Sequence, residues 1–375
     1  MRENSQRVNK MKVICLLSSL SQPRCIKRVN ALVDAGFDVE VYGYLRKYYD
    51  VNTMSYKVSI VNWGVISNGV NYFKRIKDIA YNIKKILREN KSRRDILYYA
   101  FGFDFSLILS FLRPHSYIYE SSDLIYANYK SKIIVSIFKT IDKLIIKKSY
   151  KTILTSEGFR DYLYGAKYPE NIIVHPNKVN SCFRDFKREN KEYSSENKKL
   201  TFAYVGAFRY PNTVFRFARV IGEKFPDYSF YFYGDSEYTY LAKELSEKYD
   251  NVKFFGKFRN PEDLEAIYSN VDILAVCYDT STLNERIAEP NKLYEAICFC
   301  KPIVVSKGTF LEKKIKTLGI GFAIDAADDV SITAFLKSID TETLNIIGKK
   351  EKEMDVDSYV DSSEFLIDAV DSFLS

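Results

Sequence analysis

The chain has 375 residues, of which 46% are hydrophobic and 28% charged, with a formal net charge of +8. That length suggests two domains and the apolar content suffices for two cores, which excludes a disordered or fibrous protein. Residues 1–180 hold 30 Lys+Arg against 15 Asp+Glu and the remainder 26 against 33, so the halves carry +15 and −7, summing to +8; one half is built to face something anionic.

In chain order, residues 1–10 are polar and read as a ragged end. The apolar run Val13 to Leu17 is too short to span a membrane, and no small-residue cleavage site follows it, so it reads as a first buried strand within Lys12 to Leu17. Arg24 to Ala35 reads as a helix and Asp38 to Tyr44 as a strand after the Gly36 turn. A lysine-rich helix follows around Val70 to Arg88, then strands at Ile96 to Tyr99 and Tyr117 to Glu120. Over Lys130 to Lys151, Ile134, Ile137, Phe138, Ile141, Leu144 and Ile145 recur at helical spacing. Lys132, Lys139, Lys143 and Lys147 line the other face. This basic amphipathic helix is expected to pack its apolar face on a sheet, leaving the lysine ridge to attract lipid phosphate. Strands at Thr152 to Thr155 and Ile172 to Val174 complete this half.

The charged run between Cys182 and Lys199 has almost no apolar content and reads as an interdomain linker. The alternation then restarts: strand Leu200 to Val205 ending at Gly206, helix Thr213 to Lys224, strand Ser229 to Tyr233 ending at Gly234. Helix Tyr238 to Lys248, strand Val252 to Phe254 closing at Gly256, helix Pro261 to Ser269 and strand Asp272 to Val276 come next. Asn291 to Phe299 reads as a helix opened by Pro290, followed by a tight loop and a β-branched strand up to Ser306. Such alternation predicts parallel sheets covered on both faces, with glycines at strand ends where ligands approach the backbone. The six cysteines, at 15, 25, 182, 277, 298 and 300, have no paired CxxC spacing, which suits a reducing cytoplasm with mostly buried thiols and no structural zinc. No GxGxxG follows the first strand, which disfavours a nicotinamide enzyme.

Residues 288 to 306, AEPNKLYEAICFCKPIVVS, resemble the PNKLxE…GKPV segment of retaining GT-B glycosyltransferases, in particular family 4 members that build bacterial surface polysaccharides. The resemblance extends from about Met11 to Ser375. It implies an α/β fold of GT-B type, two Rossmann-like domains facing across a cleft. Their expected bounds are 1–180 for an acceptor domain, 181–199 for the linker and 200–361 for a nucleotide-sugar domain, with a final helix at 362–374 bracing the first. It further implies transfer of a sugar from a nucleotide-diphosphate donor to a lipid-linked glycan, with retention and without metal or cofactor, by a cytoplasmic enzyme peripheral to an anionic membrane. An epimerase of the same form and a catalytically silent binding subunit are the alternatives; a nucleic-acid partner is not expected, since no nucleic-acid motif is present.

Residue by residue, the resemblance places Pro290, Asn291, Leu293 and Glu295 at the donor, with Glu295 accepting from ribose hydroxyls and the helix N-terminus holding the diphosphate. VGAFRYPNT resembles the diphosphate loop VGRLxxxKG, but Ala207 stands where relatives carry arginine. Arg209, and after it Arg216, is then the available cation, beside Lys292 and Glu289 as catalytic candidates. Gly206, Gly234, Gly256 and Phe258 match loops framing the nucleotide. SQPRCIKRVNALVDAGFDVEVYGY resembles the family's opening and makes Arg24 an acceptor-side cation. YIYESSDLIYANY resembles VYDxHDLY, with Ser122 in place of the usual histidine and Asp123 retained on the acceptor side. His175 is expected to be hinge structure.

Overall fold

The computed structural model describes residues 11–46, 56–66, 72–93, 95–129, 131–194 and 199–373; the expectations for residues 1–10, and for Val70, Lys130 and Leu374, lie outside these. The chain forms two compact units. One comprises Met1–His175 with Ser362–Ser375, and the other Pro176–Asp361.

The first unit alternates strand and helix: β1 Lys12–Leu17, α1 Pro23–Asp34, β2 Asp38–Arg46, β3 Ile60–Ile66, α2 Tyr72–Glu89, β4 Ile96–Phe101, α3 Phe103–Leu112, β5 Tyr117–Ser121, α4 Lys132–Lys148, β6 Lys151–Leu154, α5 Glu157–Tyr164 and β7 Ile172–Val174. Among the described residues these strands make one parallel sheet in the order β3-β2-β1-β4-β5-β6-β7. β1 and β4 are buried at every position, as strands covered on both faces must be. α3 was not legible from periodicity because it is apolar nearly all round and buried on most sides, from Phe103 to Ser110.

The second unit comprises β8 Thr201–Val205, α6 Arg216–Lys224, β9 Ser229–Tyr233, α7 Thr239–Lys248, β10 Val252–Gly256, α8 Leu264–Ser269, β11 Ile273–Val276, α9 Leu283–Ile287, α10 Asn291–Phe299, β12 Ile303–Ser306, α11 Phe310–Leu318, β13 Gly321–Ile324, α12 Asp329–Ser338 and α13 Thr341–Lys352. Its sheet is parallel in the order β10-β9-β8-β11-β12-β13. The same centre-outward winding in both units is the doubly wound pattern, which puts loops and ligand sites at the carboxyl ends of the strands.

α14, Glu364–Asp371, returns to the first unit, where Leu366, Ala369 and Val370 join the core beside α1. His175 closes that unit: its ring stacks on Phe365 with centroids 3.9 Å apart.

Three expectations need correction. The segment read as a linker belongs to the second unit. Phe183 and Phe186 pack edge-on against Phe299, and Arg188 donates to the carbonyls of Ile297 (2.7 Å), Met354 (2.9 Å) and Glu351. Its polar composition conceals two aromatic anchors and one arginine that meets the C-terminal carbonyls of α10 and α13. Accordingly, the chain passes between units at 175/176 rather than at 180. The amphipathic helix α4 is also rotated from the expected orientation. Asp142, Ile145 and Ile146 face inward, while Ile133, Ile134, Ile137 and Leu144 face solvent. Lys139 donates to the Tyr162 carbonyl (2.6 Å), and Lys143 lies 5.0 Å from the Tyr164 ring centroid, so part of the lysine ridge leans on α5.

Candidate functional site

The residues expected at the donor gather at the carboxyl ends of β8, β9 and β10 and the start of α10. Three glycines end these strands with positive φ: Gly206 (129°), Gly234 (136°) and Gly256 (79°). The Gly206 N–H donates to the Tyr233 carbonyl (2.8 Å) and the Gly234 N–H to the Gly256 carbonyl (2.7 Å), so the strand ends are laced together. A Cβ on Gly234 would sit on the Gly206 carbonyl, and one on Gly206 would lie 2.7 Å from Lys292 Nζ. Gly234 requires glycine because backbone approaches too closely for a side chain, and Gly206 because its φ strains any other residue.

Lys292 is the second residue of α10. Pro290 takes the N-cap position with extended φ/ψ and no side-chain cap, and within the first turn the Leu293 N–H donates to the Pro290 carbonyl (3.1 Å). The lysine is buried, its ammonium beside Gly206 and 5.1 Å from the Tyr204 ring centroid. Burial pulls its pKa down; nearby Glu295 opposes this and the charge of Arg209 adds to it. Arg209 is exposed at the end of the loop after β8. That loop is shaped by the Tyr204 hydroxyl donating to the Ala207 carbonyl (2.9 Å) and by the buried Phe208 ring. A cation is thereby turned outward one residue after an anchored aromatic.

Glu295 is buried one turn further along α10 and accepts from the Tyr268 hydroxyl. Burial raises its pKa, with Lys292 and Tyr268 working the other way. Tyr268 is itself held flat against Phe299, centroids 4.4 Å apart. Leu293 is fully buried in the core, and Asn291 and Phe258 are half-buried. Leu293 therefore anchors the helix, and its neighbours Asn291 and Lys292 supply the polar groups at its start.

The remaining candidates sit elsewhere. Glu289 has a fully buried side chain that accepts from the Tyr294 hydroxyl and lies 3.4 Å from Lys314 Nζ, which ties α10 to α11. Arg216, the second candidate cation, donates to Asp329 (2.9 Å) on α12. In the first unit, Arg24 Nε lies 3.9 Å from Glu120 and the wholly buried Arg28 Nε 3.8 Å from it, while the Tyr99 hydroxyl donates to the same carboxylate. Ser122 is half-buried and Asp123 exposed just after β5.

Two groups of consequence escaped the sequence reading. Glu120 organises Arg24, Arg28 and Tyr99; a carboxylate inside the apolar run YIYES was its only signal. Asp279 receives the Thr213 hydroxyl (2.7 Å) and the Asn212 amide (3.2 Å), pinning the π-helical turn Pro211–Phe215 that follows the Arg209 loop. Among the described residues no group of three or more His, Cys, Asp or Glu forms a metal-binding cluster.

Residues 185–354 match the family model of glycosyl transferases group 1. The succinoglycan biosynthesis protein ExoL of Rhizobium meliloti (strain 1021) is 31% identical over 86 residues, which are 23% of this chain and 21% of that protein. This chain therefore matches about a fifth of the relative's length. Sucrose-phosphate synthase from Thermosynechococcus elongatus superposes with a TM-score of 0.69 at 14% identity, covering 97% of this chain and 98% of that one. Anabaena Alr3699/HepE, solved in complex with UDP-glucose, gives 0.67 at 12% identity over 97% and 99%. The chain thus has the fold of the GT-B glycosyltransferases, and residues 185–354 match the model of the glycosyl transferases group 1.

Proposed function

We propose that this protein transfers a sugar from a nucleotide-diphosphate donor to a lipid-linked glycan during surface polysaccharide synthesis, with retention of configuration, at the cytoplasmic face of a membrane. The observation that carries the donor side is the ammonium of Lys292 beside Gly206, at the start of α10 and among three strand-end glycines. A diphosphate there would meet a buried cation, first-turn N–H groups and the outward Arg209, the groups that stabilise charge developing on a leaving phosphate. In the reaction the bond from the anomeric carbon to the diphosphate oxygen breaks and a bond from that carbon to an acceptor hydroxyl oxygen forms. The hydroxyl proton leaves with the departing diphosphate, so the products are a glycoside and a nucleoside diphosphate.

Asn291 would face sugar hydroxyls, Glu295 the ribose, Gly256 and Phe258 the base. Arg24, Ser122 and Asp123 form the acceptor side of this reading, and the cationic groups take the part that a metal plays in other transferases. The test is a thermal-shift screen against UDP-, GDP- and CMP-sugars, followed by product analysis with and without EDTA. One diphosphate donor is expected to raise the melting temperature, by mass action on the native state, and turnover is expected to survive chelation. No shift with any donor sinks the proposal, and activity restored only by added magnesium or manganese sinks its metal-independent part.

A further inference from the structure

α4 offers solvent an apolar stripe. Ile133 is 75% exposed, Ile137 54% and Leu144 53%, with Ile134 at 42% on the flank. At 100° per residue, 133, 137 and 144 fall on one line of the helix, opposite the buried Asp142, Ile145 and Ile146. Ile125 and Tyr129, in and just after the 3-10 turn that packs on α4, are exposed as well. On α3, exposed Phe111 carries Lys148 Nζ 4.8 Å above its ring. A cluster of large apolar side chains on neighbouring elements differs from the scattered singles of an ordinary surface, and marks an interaction site.

The charge around this stripe selects its occupant. Lys132 and Lys147, at the two ends of α4, are exposed. The only acid in the helix, Asp142, is turned into the core against the Tyr126 hydroxyl (2.8 Å). The stripe is thus apolar with cations at its ends and no exposed acid of its own, on the half of the sequence that carries the excess of positive charge. Lysines beside an apolar helical face can keep their ammonium groups at the level of headgroup phosphates while the face enters the acyl boundary, with Tyr129 at the interface. Among the described residues no helix is long and apolar enough to cross a membrane.

We propose that this face of α4, with Ile125, Tyr129 and Phe111 beside it, docks the protein on an anionic bilayer by shallow insertion of Ile133, Ile137 and Leu144. This rests on the peripheral-membrane part of the reading above and makes it specific. The apolar stripe enters the bilayer and the lysine ridge at 139 and 143 does not, those two being engaged with α5.

The test is co-sedimentation of the full chain with phosphatidylcholine vesicles, with and without about one-third phosphatidylglycerol. Variants are Ile133→Ser/Ile137→Ser/Leu144→Ser and Lys132→Glu/Lys147→Glu. Melting temperature and nucleotide-sugar shift are read on each sample, and oligomeric state by light scattering. The parent is expected to bind the anionic vesicles. The serine triple is expected to lose binding at least about tenfold at all salt concentrations, and the lysine pair to lose it mainly at low salt, with melting temperature unchanged. Three outcomes overturn the proposal: a parent that pellets with neither vesicle, a triple that pellets like the parent, or a parent whose self-association the triple abolishes while vesicle binding is unchanged. A preserved nucleotide shift alongside failed sedimentation refutes the docking face alone, whereas vesicle binding with no nucleotide response refutes the transferase reading alone.

Discussion

Lys292 illustrates how a single residue acquires its chemistry from position. A lysine in the first turn of a helix is ordinarily solvated, but here Gly206 lacks a side chain and the ammonium settles against its backbone, dehydrated. Burial disfavours the charged form of this lysine, which a diphosphate would stabilise. Lys292→Met should therefore keep or slightly raise stability while weakening nucleotide binding by about 1.5 to 3 kcal/mol, the range for a hydrogen bond to a charged group. Glu295→Gln should retain the Tyr268 contact and weaken binding within the same range. Calorimetric titration of both variants checks this, and unchanged affinity in either removes that residue from the donor site.

Asp142 makes a separate point at the same scale. It is completely buried, and its pKa is pushed up to about 6, by burial first, with hydrogen bonds from Tyr126 and Tyr119 opposing. The folded pKa thus lies above the unfolded value near 3.8. The native state binds the proton more tightly, so its contribution is fully present below about pH 4 and is lost as pH rises through 6. The cost amounts to roughly 3 kcal/mol by pH 7 at about 1.4 kcal/mol per unit. Asp142→Asn should flatten the fall in stability between pH 4 and 7 relative to the parent. Denaturant midpoints across that range measure it, and parallel profiles for the two proteins would falsify the assignment.

Among the elements, α10 depends on what closes its far end. Cys300 caps it in the left-handed conformation, and the Ile297 carbonyl near its end is taken by Arg188, which also reaches the last turn of α13 and lies over the Tyr359 ring. The buried Glu351 carboxylate has its pKa raised well above the usual range by burial, with Arg188 the main opposing charge. Arg188→Ala leaves several carbonyls unpaired and removes the larger of the two opposing charges near Glu351, and should cost about 1 to 3 kcal/mol. Glu351→Gln removes the ionisation that burial opposes, so it should be neutral at low pH and relatively stabilising as pH rises. Urea denaturation of the two variants and the double mutant checks both signs, and an Arg188→Ala loss below 1 kcal/mol would show the arginine to be dispensable.

For the whole molecule, two compact units imply two unfolding transitions. α14 belongs to the first through Leu366, Ala369 and Val370 and through Arg28, whose guanidinium lies 4.7 Å from the Phe365 ring centroid. Leu366→Ala deletes a fully buried side chain and should cost the first unit about 2 to 5 kcal/mol. In scanning calorimetry the transition lowered by this variant should differ from the one raised by nucleotide sugar. A single transition moved by both would mean that the units melt as one.

Much of the architecture is legible in the order of residues. Alternating β-branched runs and amphipathic stretches mark most strands of both parallel sheets, though not β3 or β13, and α10, bounded by Pro290 and the left-handed Cys300, occupies the predicted span. Strand-end glycines are likewise legible, because the φ of 129° at Gly206 and 136° at Gly234 disfavours residues with a side chain. Tertiary structure alone decided the rest. Rotation of α4 by part of a turn brought Ile134, Ile137 and Leu144 to solvent and Asp142 inward, because its apolar sector is wider than the surface available to cover it. The polar run at 184–194 became a clasp through one arginine, and Glu120 and Asp142 became the buried centres of networks whose partners lie up to 96 residues away (24 to 120). Local pattern records a residue's own preferences, whereas burial, charge pairing and dehydration depend on neighbours that only the folded chain brings within reach.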